Sequence, residues 1–196
     1  MQGSKIMARA LETVHGVNGD DAQRRTMYSL DSIEGENALM DALHYFWSAL
    51  RQVENDTPKV SDFDLARIAP NAKGAFLSWV DATAEDPRYF QMAYHPCSPI
   101  PGMGLELSGK RLMEIHNSLH AKSTYVEYLR CKQWRTPLYY EIEQIIAGFQ
   151  RHYYRLLLPL ADDAGKVTRI VYMNHFLTPP RQLYRDEDNG YGGQAG

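Results

Sequence analysis

The stretch Phe149–Phe176, FQRHYYRLLLPLADDAGKVTRIVYMNHF, reads as two strands around a polar turn. Large side chains fall on both faces of each strand, and Arg155 and Arg169 interrupt them. Alternate residues of a strand face opposite sides of a sheet. An arginine is costly in a closed apolar core, so Arg155 and Arg169 are expected on the outer face, with Tyr153, Leu157, Val171 and Met173. His152, Tyr154, Leu156, Thr168, Ile170, Tyr172 and Asn174 then point inward, onto a ligand or a core. The outer apolar strip needs a cover of its own.

The helix pattern upstream can supply that cover. In ENALMDALHYFWSALRQVEN, Leu39, Leu43, Phe46, Leu50 and Val53 recur at three- and four-residue steps, with Ala42 and Trp47 beside them. Asn55-Asp56-Thr57-Pro58 is expected to end the helix. Covering a strip of about 400 Å² is worth roughly 10 kcal/mol gross, an upper figure. The helix can come from the same chain, or from a second copy across a homodimer interface.

The remaining elements follow from turn chemistry. SDFDLARIAP reads as a short helix capped by Ser61 or Asp62 and stopped by Pro70. AFLSWVDAT and RYFQMAYH read as strands joined by AEDP, and PCSPIPGMG as a loop. SGKRLMEIHNSLHAKSTYVEYLRCKQW reads as a short helix from Leu112 and a longer one from Asn117 or Ser118, with Leu119, Val126 and Leu129 on one face. TPLYYEIEQIIAGFQRHYYRLLLPL holds two strands bending near Ala147-Gly148, and Pro179-Pro180 is expected to end the last strand. HGVNGDDAQRRT carries no apolar periodicity, so residues 1–36 are expected to be a flexible segment, with at most a weak helix at Ile6–Val14. Residues 37–180 form the expected domain, and 181–196 a flexible tail. Two strands, a helical excursion and a three-stranded meander specify an α+β fold with one antiparallel sheet.

The composition of the 196-residue chain sets limits on its partners. Net charge is −3 and no basic stripe is present, so no nucleic-acid partner is expected. No apolar run spans a bilayer and no signal pattern opens the chain, so a cytoplasmic, non-membrane protein is expected. Cys97 and Cys131 lack metal-type spacing and read as reduced thiols.

The order of elements, together with LSGKRLMEI and RLLLPLADDAGKV, resembles the PAS fold over roughly residues 38–178. The long first helix, SDFDLARI and RYFQMAYH further resemble a family of stand-alone bacterial PAS proteins, some linked to motility and cell-cycle signalling. This chain departs from that family at MAYHPCSPIPGMG, where the family usually has an Arg and a Gly-Thr pair. The resemblance implies a five-stranded antiparallel sheet, helices over its concave face, and an amphipathic helix ahead of the first strand. It implies a non-enzymatic sensor or adaptor that binds a small, partly apolar ligand. Output would pass to a signalling protein such as a kinase. The ligand-contact candidates are Tyr125, Tyr128, Leu129, Tyr154, Leu156, Ile170 and Tyr172, and the helix or dimer interface is Leu39, Leu43, Phe46, Trp47 and Leu50. Tyr139 and Tyr140 also lie in elements expected to border the inner face.

Other chemistries compete with the sensor. Haem-binding PAS proteins often take an axial histidine from the long helix, which by that resemblance makes His120, or His116 one turn earlier, the haem candidates. A flavin-adduct photoreceptor needs an Asn-Cys-Arg-Phe motif that the chain lacks. GMGLELSGK lacks P-loop spacing. Glu141 and Glu143 share a strand face and could act as paired carboxylates, but an enzyme would need a histidine and a carboxylate converging in one cleft. A PAS module that binds no ligand and only contacts proteins completes the alternatives.

Overall fold

The computed structural model describes residues 10–183, apart from 33, 52, 54–55, 65–75, 95–106, 116–117 and 147. His116 and Cys97 lie outside the described residues. Seven strands form one antiparallel open sheet: β1 (Ala10–Asn18), β2 (Asp21–Tyr28), β3 (Phe76–Asp81), β4 (Gln91–Tyr94), β5 (Leu138–Ile146), β6 (Phe149–Ala161) and β7 (Val167–Gln182). Their order across the sheet is β1-β2-β5-β6-β7-β3-β4. Two α-helices stand among the described residues, α1 (Ala38–Ala49) and α2 (Ser118–Trp134). None of the described helices is long and apolar enough to cross a membrane.

The meander β5-β6-β7 returns to β3 as the sequence requires. Phe76 pairs with Asn174 and Asp81 with Arg169, so the late strands and Phe76–Asp81 share one sheet. Among the described residues each face carries one α-helix. On the inner face Tyr128 and Cys131 of α2 pack with Tyr140, Ile142, Tyr153, Leu157, Ile170 and Tyr172. On the outer face Met40, Leu43 and Trp47 of α1 pack with Leu156, Leu158, Leu160, Val171 and Met173. Asn37 caps α1, its Oδ1 accepting from Leu39 N and Met40 N, both at 3.1 Å. The outer strip is therefore covered by the chain's own helix. Leu43 and Trp47 are buried there, and Leu39, Phe46 and Leu50 are partly buried. The helix stops at Ala49, one turn earlier than expected, and Val53 is exposed.

The sheet has seven strands rather than five, because residues 10–28 are ordered and α1 is not the first element. Residues 1–9 of the expected flexible segment and weak helix lie outside the described residues; over 10–28 the chain forms the β1–β2 hairpin, which extends the β5 edge from Ala22↔Ile145 to Tyr28↔Tyr139. Asn18 pairs with Asp21 across a two-residue turn, and Gly19 adopts φ +61° at its first position. Gly-X is a pattern that such hairpin turns demand. Apolar periodicity is weak here because the inward residues of β2 are Gln23, Arg25 and Met27, two of them polar.

Pro179-Pro180 does not end the last strand. β7 runs on to Gln182, pairing Arg181 with Gln150 and Gln182 with Phe149, so the expected tail begins inside it. Among the described residues β3 pairs with this strand only as far as Asn174, and a sheet edge tolerates proline. The buried face of α2 also differs from the expected one. Ala121, Thr124, Glu127, Tyr128 and Cys131 are buried, whereas Val126 is half exposed.

The largest correction concerns β6. Antiparallel partners share a face, and Leu156 pairs with Met173 while Leu157 pairs with Tyr172. Tyr153, Arg155 and Leu157 therefore face α2, and Tyr154 and Leu156 face α1. The expected phase of β7 holds, with Ile170 and Tyr172 inward and Val171 and Met173 outward. Arg155 was placed outside to spare a lone charge from burial; it lies inside because it is not alone.

Candidate functional site

Three ionised side chains meet between α2 and the sheet. Arg25 comes from β2, Arg155 from β6 and Glu127 from α2, with exposures of 5%, 4% and 2%. Arg25 Nη1 donates to Glu127 Oε1, and Arg155 Nη1 to Oε2 at 2.8 Å. Arg25 Nε donates to Gln23 Oε1 at 3.1 Å, and Arg155 Nε to Asn174 Oδ1 at 2.9 Å. Arg155 also lies over the rings of Tyr153 and Tyr172, 5.5 and 5.3 Å from their centroids. Buried charges persist only when paired and hydrogen-bonded, and two guanidinium groups on one carboxylate meet that condition.

Beside this triad lies a cavity of about 180 Å³, bounded by α2 and the inner faces of β1, β2 and β5. Val14, Met27 and Val126 supply apolar wall, and Arg25, Glu127 and Tyr140 polar wall. Arg130 grips Glu12 of β1 with two bonds, at 2.5 and 3.0 Å, which ties the helix to the hairpin at the rim. Close approach of α2 to β1 also explains Gly16, where a Cβ would stand 2.8 Å from Leu119 Cδ1.

The expected contact residues divide. Tyr128, Ile170 and Tyr172 lie together in the packed inner core, the Tyr128 and Tyr172 rings 5.7 Å apart. Tyr125 packs at the edge of that core and Leu129 is half-buried. Tyr154 and Leu156 belong to the opposite face, with Tyr139, whose ring is 5.2 Å from that of Tyr154. None of these residues lines the cavity. The open space is displaced toward β1 and β2, so Arg25, Met27 and Val14 were missed, as was Glu127. The Gly19 turn could have revealed the hairpin that carries three of them.

His120 sits among the guanidinium groups. Burial, then the charges of Arg25, Arg155 and Arg151, hold its imidazole well below the usual range, against a hydrogen bond with Gln144. The folded protein therefore keeps His120 neutral, while the unfolded chain takes a proton below about 6.5. Stability is expected to fall as pH drops below that value, by up to about 1.4 kcal/mol per pH unit. Half-buried His44 shifts the same way, chiefly through burial. Urea midpoints between pH 5 and 7.5 should show the slope, and His120→Asn should flatten it. His120 does not line the cavity, and a space sized for one small ring is too small for a porphyrin. Cys131 is buried, which pushes its thiol well up and leaves it inert.

A histidine and carboxylates do converge on the outer face. His152 Nε2 lies 2.7 Å from Glu141 Oε1 and 3.6 Å from Glu143 Oε1, and one ligating atom from each falls within 4.8 Å of the others. That set has the donors for a divalent cation or a proton relay. Its own neighbours already neutralise it. Tyr28 donates to Glu141 Oε2 at 2.7 Å, and Arg24 is ion-paired to Glu143. Burial works to raise the Glu141 carboxyl, but the bonds from Tyr28 and His152 hold it below its usual range. A cation there would have to displace Arg24.

No family model matches this chain, and comparison with curated proteins and with solved structures gave no match.

Proposed function

We propose that this protein is a non-enzymatic sensor or adaptor of PAS type that takes a small, partly apolar ligand beneath α2. The observation that carries the reading is the cavity of about 180 Å³ between helix and sheet, with apolar walls and a buried charged floor. The run of two strands, helical excursion and three-stranded meander supports the PAS resemblance. Pockets for small molecules are typically apolar with a few placed polar groups. This one is small, so its ligand is a metabolite of about one ring rather than a large cofactor.

Occupancy acts on α2, which forms part of the wall. A ligand shifts the packing of that helix only if it binds one arrangement better than another. Val126 and Trp134 of α2 are half exposed, and they offer a signalling partner, such as a kinase, an apolar contact that moves with the helix. α1 lies on the far face and covers the outer strip from within the chain, so a second copy is not needed for that cover.

The test is a thermal-shift panel of small apolar and amphipathic metabolites, with native mass spectrometry of the freshly purified protein. A ligand at a hundred times its Kd adds about 2.7 kcal/mol, or a Tm rise of roughly 5–11 °C for a chain of this size. No retained mass and no shift across the panel would leave a module that only contacts proteins.

A further inference from the structure

Arg25, Lys122 and Arg130 line the cavity against Glu12 and Glu127, so positive charge is in excess there, and Arg155 behind the wall adds to it. Arg25 and Arg155 share the single Glu127 carboxylate, and their other side-chain partners, Gln23, Asn174 and Tyr153, are neutral. Arg130 is matched by Glu12. Arg25 lines the cavity and is almost wholly buried, yet its Nη2 has no hydrogen-bond partner among the described residues. A buried N–H of a charged group bears its full desolvation cost until an acceptor meets it. Opposite stand Val14, Met27 and Val126, which can meet only an apolar body.

We infer that the ligand is a small monocarboxylate, its carboxylate held at the Arg25 side of the cavity and its apolar body lying between Val14, Met27 and Val126. This rests on the sensor reading above and names the class of its ligand. A carboxylate suits a guanidinium edge. A phosphate dianion fits less well, because its second charge would meet Glu127, which lines the same space. Size sets the body. An apolar cavity of about 150 Å³ holds benzene, so about 180 Å³ holds a ring or a chain of about six carbons with its head group.

The experiment is calorimetric titration of the full chain at pH 7.5 with benzoate and hexanoate, and with benzamide and hexanamide as neutral isosteres. The acids are expected to bind roughly ten- to a hundredfold more tightly than the amides. Val126→Trp changes a half-exposed helix position on the cavity wall. It should weaken acid binding at least tenfold while the urea midpoint stays put. Amides that bind as tightly as acids would overturn the carboxylate and leave the cavity reading standing. Acid binding untouched by Val126→Trp would place the anion elsewhere and overturn the inference. If neither series binds, the monocarboxylate falls, while the sensor reading still stands or falls on the metabolite panel and native mass spectrometry above.

Discussion

Glu127→Gln should lower the unfolding free energy by about 3–5 kcal/mol, the cost of breaking a buried ion pair from one side. The substitution keeps the shape of the side chain and removes its charge. Arg25 and Arg155 would then face each other's charge with no anion between them. Against a typical total of about 5–15 kcal/mol, the loss brings the protein close to unfolding. Urea denaturation followed by far-UV circular dichroism measures it. Replacing all three charges at once, with Arg25→Met, Glu127→Leu and Arg155→Met, should recover most of the stability, because a well-packed apolar trio can match a buried ionic one. An unchanged midpoint for Glu127→Gln would mean that the charges are hydrated and that α2 does not close over them.

Trp47→Ala is the second large effect, again about 3–5 kcal/mol. Trp47 is buried among residues of β6 and β7, and its indole Nε1 donates to Pro159 O at 2.7 Å. β5 stops at Leu138, opposite Leu157, so the stretch of β6 holding Pro159 lacks that neighbour. The indole thus both fills the space under α1 and meets a strand carbonyl. Trp47→Phe should keep much of the packing and lose about 1–3 kcal/mol through the orphaned carbonyl. Tyr45, on the same helix and 77% exposed, supplies the control, since Tyr45→Ala should stay within about 0.5 kcal/mol of the parent. Equal losses at Trp47 and Tyr45 would place α1 elsewhere than on its own sheet.

Much of the fold was legible because it rests on local signals. The stripe of α1, the run of α2 from Ser118 and the polar turn after Ala161 are each written within a few residues. β6 was misread because its phase depends on a distant partner. Arg155 reads as an outer residue until Glu127, 28 positions earlier, is known to stand over it. Arg25 lies further off still, in a segment whose inward residues are polar by virtue of the same cluster. Alternation of apolar and polar residues marks a strand only where the interior is apolar. The candidate site is the place where it is not, so the pattern failed in the hairpin that carries much of it.

The hairpin has one more consequence. Among the described residues β1 is the outermost strand of the sheet and pairs only with β2, and Leu11, Val14 and Val17 along it are exposed. Strands at such a margin separate at a smaller free energy than the centre of a sheet. Val14 of this border lines the proposed cavity, so peeling of β1 would open that wall and give a guest a way out. A long stay would be a property of the Glu12–Arg130 clasp more than of the guest itself.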